Sequence, residues 1–238
     1  MPANDKQYVQ HGVAMTCRSF QEYVDMFQLT PDILRRGRIL DVAGGASSFV
    51  ADACKQGCDV IAADPLYAHS PEAIAEHGEA NRREATGKLE GLLDVYDWSY
   101  YGSLDRHEQI RADSLARFVD DYGRSDQRHR YVSASLPNLP FPDETFSLIV
   151  SSHFLFLYDS QFDPDFHIAS IQTLIRLLQP GGEIRLYPLS TLARTRYPAL
   201  DRVLEVVGRA HPNVEVDFVP TPFRFLLMAT EYLRIRRA

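Results

Sequence analysis

Two acids, Asp41 and Asp64, with the small residues that follow the first, are where residue type and spacing in this chain first imply chemistry. The apolar run around Arg38-Ile-Leu-Asp-Val42 gives way to Ala43-Gly-Gly-Ala-Ser-Ser48, and a helical pattern begins at Phe49. A second apolar run, Val60-Ile-Ala-Ala63, ends in Asp64. Small residues let a ligand come close to the main chain, and a helix start offers unpaired N–H groups. The second acid lies 23 residues beyond the first, near the roughly 20-residue offset at which an acidic side chain grips a ribose in βαβ nucleotide sites. The implied chemistry is nucleoside binding. Only Gly44 and Gly45 are glycines in this turn, so the dinucleotide fingerprint G-x-G-x-x-G is absent and a pyrophosphate has no evident cradle. That disfavours a nicotinamide-dependent oxidoreductase.

The segment Asp41-Val-Ala-Gly-Gly-Ala-Ser47 resembles motif I of class I S-adenosylmethionine-dependent methyltransferases, acidic-x-Gly-x-Gly-x-Gly, with the central glycine at Gly45. Ala43 and Ser47 stand at the outer glycine positions. Two later landmarks resemble the same family in the same order: Leu139-Pro-Phe-Pro-Asp-Glu-Thr-Phe-Ser-Leu-Ile-Val150 before and within the fourth strand, and Gln179-Pro-Gly-Gly-Glu-Ile-Arg-Leu186 opening the fifth. The resemblance implies S-adenosylmethionine as cofactor, with S-adenosylhomocysteine as product. The resemblance implies that the cofactor is held by Asp41, Ala43, Gly44, Gly45, Asp64, Pro65, Ser135, Leu136 and Ser152, with Asp64 on the ribose hydroxyls. Ser135 and Leu136 stand where many relatives carry an Asp-Ala pair at the adenine edge. The aspartate that often follows Phe146 is Ser147, so catalytic acids of the DNA- and amide-methylating branches do not carry over.

A sulfonium methyl is electrophilic without help, so the protein's task is to hold nucleophile, methyl and sulfur in line, which is worth about 7–11 kcal/mol in favourable cases. A hydroxyl or ammonium acceptor also needs a base. His153, after the Phe146–Ser152 run, is the candidate, with an ordinary pKa of about 6.5; the bland alternative is pocket lining. Tyr8, His11, Tyr23, Trp98 and Tyr158 are candidate substrate contacts, and packing is the competing role for the tyrosines. Asp159, Asp163, Asp165 and His167 have metal-ligand chemistry, but Pro164 and the pattern after it favour an acid-rich helix start, and no metal is expected.

These residues need a scaffold. Strand and helix patterns alternate, which argues an α/β fold with a parallel sheet covered on both faces. Strands are expected near Arg38–Val42, Asp59–Ala63, Arg130–Ser133, Phe146–Ser151, Glu183–Pro188, Val214–Val219 and Thr230–Arg236. The resemblance implies a Rossmann-like, seven-stranded, mostly parallel sheet of order 3-2-1-4-5-7-6 with the last strand antiparallel. Helical spacing recurs at Phe20, Tyr23, Val24 and Phe27, at Ile171, Leu174, Ile175 and Leu178, and at Leu200, Val203, Leu204 and Val207. Residues 66–129 greatly exceed an ordinary crossover and are expected to form a helical cap between strands two and three. Its aromatics Tyr96, Trp98, Tyr100 and Tyr101 would either wall a substrate or fasten the cap to the sheet. A single methyltransferase domain over 1–238 is expected, with a helical segment at 1–37.

Composition sets the outer bounds. A 45% hydrophobic content supports a sizeable core, and the formal net charge is −7; clustered phosphate contacts are therefore not expected. No apolar run approaches a membrane span, the N-terminus lacks a signal-like apolar region, and Cys17, Cys54 and Cys58 read as reduced thiols. The expected chain is cytoplasmic, a monomer or homodimer acting on a small molecule, with neither nucleic acid nor membrane as partner. The rival reading is an adenosyl-ligand-binding module without transfer activity. No nucleophile elbow, Walker loop or zinc signature occurs.

Overall fold

The structure, a computed structural model, describes Gln10 and residues 12–238. Seven strands form one sheet: β1 (Ile39–Val42), β2 (Val60–Ala63), β3 (Tyr131–Val132), β4 (Phe146–Ser152), β5 (Leu178–Tyr187), β6 (Val214–Pro220) and β7 (Glu231–Arg237). Their order is β3-β2-β1-β4-β5-β7-β6. The first five strands run parallel, and β7 is antiparallel to both β5 and β6. All residues of β1 and β4 are buried, as continuous apolar runs require when both faces of a parallel sheet are covered.

The helices are α1 (Phe20–Phe27), α2 (Pro31–Leu34), α3 (Phe49–Lys55), α4 (Pro71–Glu90), α5 (Leu104–Gly123), α6 (Pro164–Leu177) and α7 (Leu200–Ala210). Their starts follow from local chemistry. Ser19 and Glu22 form a capping box on α1, Ser70 caps α4 ahead of Pro71, Ser103 caps α5, and Asp163 caps α6 ahead of Pro164. One core layer joins Leu40, Val42, Ile149, Ile184 and Leu186 to α6 and α7; the other joins Ile39, Leu148 and Val150 to α1, α3 and the segment between β2 and β3.

That segment supplies α4 and α5, which pack on each other, while α5 also packs on α3. Phe118 of α5 is fully buried, stacked on Tyr122 at 5.4 Å and edge-on to Tyr131 at 5.5 Å. The Tyr122 hydroxyl donates to the carbonyls of Tyr67 and His69, closing the base of the cap against the end of β2. The aromatics expected either to wall a substrate or to fasten the cap do the latter. Tyr96 stacks on Phe225 at 4.5 Å, Trp98 meets Phe225 edge-on, and Tyr100 and Tyr101 do the same with Phe223. Phe223 and Phe225 lie in the connection between β6 and β7, so the rings pin the cap to the far end of the chain. No helix among the described residues is long and apolar enough to cross a membrane.

Because Phe118 joins the cap to the same core as the sheet, Phe118→Ala should cost about 3–5 kcal/mol in a single urea transition. Two separate transitions, with the sheet unaffected, would show that the cap is energetically independent.

Candidate functional site

The turn after β1 is fixed from three sides. Ala43 and Gly45 have φ of 56° and 57°, the left-handed region that favours glycine. The Gly45 N–H donates to Asp64 Oδ2 at 3.0 Å, and the Tyr67 hydroxyl donates to the Gly45 carbonyl at 2.9 Å. A Cβ on Gly45 would stand 3.0 Å from the Thr16 carbonyl oxygen, because the extended strap of residues 12–18 crosses the turn there. The Arg18 carbonyl anchors that strap, accepting from Ser47 Oγ, Ser48 N and Ser114 Oγ. Tyr158 adds a further tie, its hydroxyl accepting from Ala14 N at 3.0 Å.

A cavity of about 380 Å³ opens beside this turn at the carboxyl ends of β1, β2 and β4. Its wall includes Ala43, Gly45, Asp64, Pro65, Ser135, Leu136, Ser152 and His153, all named from the sequence. Asp41, Gly44, Tyr23, Trp98 and Tyr158 do not line it. Asp41 is buried behind the turn, with the Tyr23 hydroxyl 3.1 Å from both carboxylate oxygens. Gly44 is equally occupied: a Cβ there would come within 2.8 Å of Asp41 Oδ2 and 3.0 Å of Tyr67 Oη. Trp98 donates its indole N–H to the Leu93 carbonyl within the cap. Tyr8 and His11 lie outside the described residues.

Sequence reading missed several wall residues: Val13 to Thr16 of the strap, His69 and His77 of the cap, and Phe154, Phe162 and Phe166. The last two stack at 4.3 Å, and Phe154 meets Phe162 edge-on at 5.4 Å. The i, i+4 spacing of Phe162 and Phe166 across the start of α6 was the available signal. The acids near them serve the helix: Asp163 caps α6, and His167 turns inward with its ring nitrogens 2.6 Å from the Asp163 and Leu155 carbonyls.

Electrostatically, Asp64 and Asp41 differ in how they are satisfied. Burial raises the pKa of Asp64, countered by the N–H groups of Leu66 and Gly45, each of which takes one carboxylate oxygen. Each oxygen keeps acceptor capacity for a ligand hydroxyl. Burial raises Asp41 well above the ordinary carboxylate value, and its Tyr23 hydrogen bond only partly offsets this. The two acids thus divide the labour: Asp64 faces the cavity, while Asp41 fixes α1 against β1.

His153 sits at the end of β4 with φ of 54°. Its Nδ1 lies 2.9 Å from Ser152 Oγ, and its buried Nε2 has no hydrogen-bond partner among the described residues. Burial, reinforced by Arg18 and Arg111, pushes its pKa well below 6.5, so the ring is neutral at pH 7. Only the tautomer in which Nδ1–H donates to Ser152 Oγ leaves a lone pair at Nε2 to take a proton.

The methyltransferase domain family matches residues 104–186, from the start of α5 to the end of β5. The uncharacterized protein MJ0045 of Methanocaldococcus jannaschii is 31% identical over 221 residues, covering 92% of this chain and 94% of that protein. Among solved structures, a SAM-dependent methyltransferase from Aquifex aeolicus is 13% identical with a TM-score of 0.43, covering 91% of this chain and 90% of that one. The SAM-dependent methyltransferase SibL is 15% identical with a TM-score of 0.45; 91% of this chain is covered but only 55% of SibL, so this chain spans about half its length. The chain thus shares a family with MJ0045 and carries a methyltransferase domain match over residues 104–186, on a sheet whose order is the one expected for class I S-adenosylmethionine-dependent methyltransferases.

The buried histidine generates a pH prediction. A depressed folded pKa makes the neutral form part of the native state, so its stabilising contribution is present above about 6.5 and is lost as pH falls through the folded value. Raised carboxylates such as Asp64 act in the opposite sense, stabilising at low pH. The difference between wild type and His153→Gln isolates the histidine: wild-type stability should fall relative to the variant by about 1.4 kcal/mol per pH unit below 6.5, measured by urea unfolding between pH 7 and 5. Parallel pH profiles would show that the ring charges freely in the folded state.

Proposed function

We propose that the chain transfers a methyl group from S-adenosylmethionine to a small-molecule acceptor by in-line displacement, in the cytoplasm, as a monomer or homodimer and without nucleic acid or membrane as partner. The observation that carries this reading is the Asp64 carboxylate at the wall of the cavity, pinned by two backbone N–H groups on one side and exposed to a ligand on the other.

The residues present fit the cofactor. Asp64 would accept from the ribose hydroxyls, Pro65, Leu66 and Leu136 offer apolar surface to a flat base, and Ser135 offers the base a hydroxyl. The cofactor supplies an electrophilic methyl when bound. What remains falls to the protein. The strap and the Phe154, Phe162 and Phe166 rings keep water from the reacting centre, and His153 Nε2 takes a proton where the acceptor carries one. At about 380 Å³ the cavity lies at the low end of the roughly 300–1,000 Å³ range of small-molecule sites. The competing reading, a binding module without transfer, draws on the burial of His153 Nε2.

Asp64→Ala should weaken S-adenosylhomocysteine binding at least about tenfold, equivalent to about 1.4 kcal/mol, in calorimetric titration of a variant whose circular dichroism is unchanged. Unaltered affinity rejects the ribose assignment. Transfer of isotope-labelled methyl into a small-molecule fraction of cell extract distinguishes the two readings: binding without labelled product favours the module.

A further inference from the structure

The cavity beside Asp64 has an exposed side and a buried one. The sheet order β3-β2-β1-β4 puts Pro65 and Ser135, which follow β2 and β3, on one side of β1, and Ser152 and His153, at the end of β4, on the other. Pro65, Ser135 and the cap residues His69 and His77 are exposed and form a mouth; Ser152 and His153 are buried. On the methyltransferase reading, on which this inference rests, the adenosyl base lies in that mouth against Leu66, Ser135 and Leu136. An acceptor then needs a second way to the buried side. His153 Nε2, the atom that would take its proton, is closed off in this conformation and has no partner among the described residues.

The strap that forms part of the same wall is held very unevenly along its length. From Met15 onward it is fixed: Met15, Cys17 and Arg18 are buried, the Cys17 carbonyl accepts from Arg111 Nη1 at 3.2 Å, and the Arg18 carbonyl accepts from three donors. Before Met15 the hold is light. Gly12 and Val13 are exposed and Ala14 is half-buried. Their side-chain ties among the described residues are Ala14 N to Tyr158 Oη at 3.0 Å and Gln161 Nε2 to the Gly12 carbonyl at 3.3 Å. Both come from the connection between β4 and α6. On the cap side, Lys88 Nζ donates to Gln10 Oε1 at 3.3 Å, so residues 12–14 bridge from the cap to that connection. Gly12 has φ of 71°, and a Cβ there would meet nothing within 4 Å. Glycine at this point serves the turn of the backbone rather than close packing.

We propose that residues 12–14 are a gate through which the methyl acceptor reaches the buried side of the cavity, with the Tyr158 hydroxyl as its latch. Opening breaks two neutral hydrogen bonds that water can replace, a small net cost, and leaves the anchored part from Met15 to Arg18 in place. Such an opening belongs to the local motions that a fold undergoes without unfolding. Tyr158 suits the part of a fixed post: its ring is 2% exposed and lies 6.4 Å from that of Phe154, and its hydroxyl accepts from the strap's main chain. Closure over a bound acceptor would restore both ties and keep water from the methyl group.

The test labels histidines of the full chain with diethyl pyrocarbonate, which acylates a neutral imidazole nitrogen, and reads each one by mass mapping of digests. Saturating S-adenosylhomocysteine fills the mouth, so reagent that reaches His153 has used the other passage. His153 should label slowly in wild type and about fivefold faster in Tyr158→Phe, equivalent to about 1 kcal/mol for the lost hydrogen bond. Gln161→Ala should act in the same direction. His167, buried beneath α6 with both ring nitrogens at carbonyls, should keep its wild-type rate in both variants. An unchanged His153 rate in Tyr158→Phe overturns the gate, as does labelling that S-adenosylhomocysteine abolishes in wild type and variant alike, since the reagent then came through the mouth. A parallel rise at His153 and His167 also overturns it, as the mark of general loosening. If S-adenosylhomocysteine gives no heat of binding with wild type, the methyltransferase reading has failed instead. The gate is then judged by the ligand-free His153 rates, and a ratio near one between variant and wild type rejects it.

Discussion

The arrangement of the site depends on the backbone at Gly45. Its N–H is committed to Asp64, its carbonyl to Tyr67, and the face where a side chain would stand is closed by the Thr16 carbonyl. Each contact belongs to a different element: the end of β2, the start of the cap and the N-terminal strap. A side chain at this position would meet both an unfavourable φ and a backbone oxygen at 3.0 Å, costs that add because neither neighbour can rotate away. The small residues of the turn therefore serve the protein's own chain on one side as well as a ligand on the other.

This double use explains which parts of the site could be read from the sequence. The spacing of Asp41 and Asp64 correctly located two strand ends, but strand ends say nothing about which face a side chain takes. Asp41 shares a face of β1 with Ile39, toward Tyr23 and α1; Leu40 and Val42 share the other. Asp64 lies one residue past Ala63, beyond the sheet, and is free to turn toward the cavity. Sheet order and strand positions were legible because continuous apolar runs and their punctuation fix them. The strap was not, because Val13 to Thr16 have no periodicity and owe their place to hydrogen bonds from Ser47, Ser48, Ser114 and Tyr158.

The cap illustrates the same limit from another side. Its length and aromatic content were plain in the sequence, and its α5 pattern at Leu115, Phe118, Val119 and Tyr122 marks a real helix. What the rings touch depends on Phe223 and Phe225, more than 120 residues away in the chain. An aromatic cluster read alone offers apolar area without saying whether a ligand or another part of the chain will cover it. Here the chain covers it, and the cap contributes to the cavity through His69 and His77 instead.

The two layers around the sheet consequently do different work. The layer beneath α6 and α7 carries buried but uncharged polar groups: His167 is met by the Asp163 and Leu155 carbonyls, while the Ser170 and Ser190 hydroxyls have no partner among the described residues. The layer beneath the strap and cap holds Asp41, Asp64, Glu22, Arg18, Arg111 and His107, and the unpartnered nitrogens of Arg18 and His107 lie there, with that of His153 at the adjoining cavity wall. Folding alone gives no reason to collect buried charge on one side, since a buried charge lowers stability unless something completes it. The asymmetry follows if the apolar layer supplies the stability and the polar layer, with the strap that crosses it, is arranged around the ligand cavity beside Asp64.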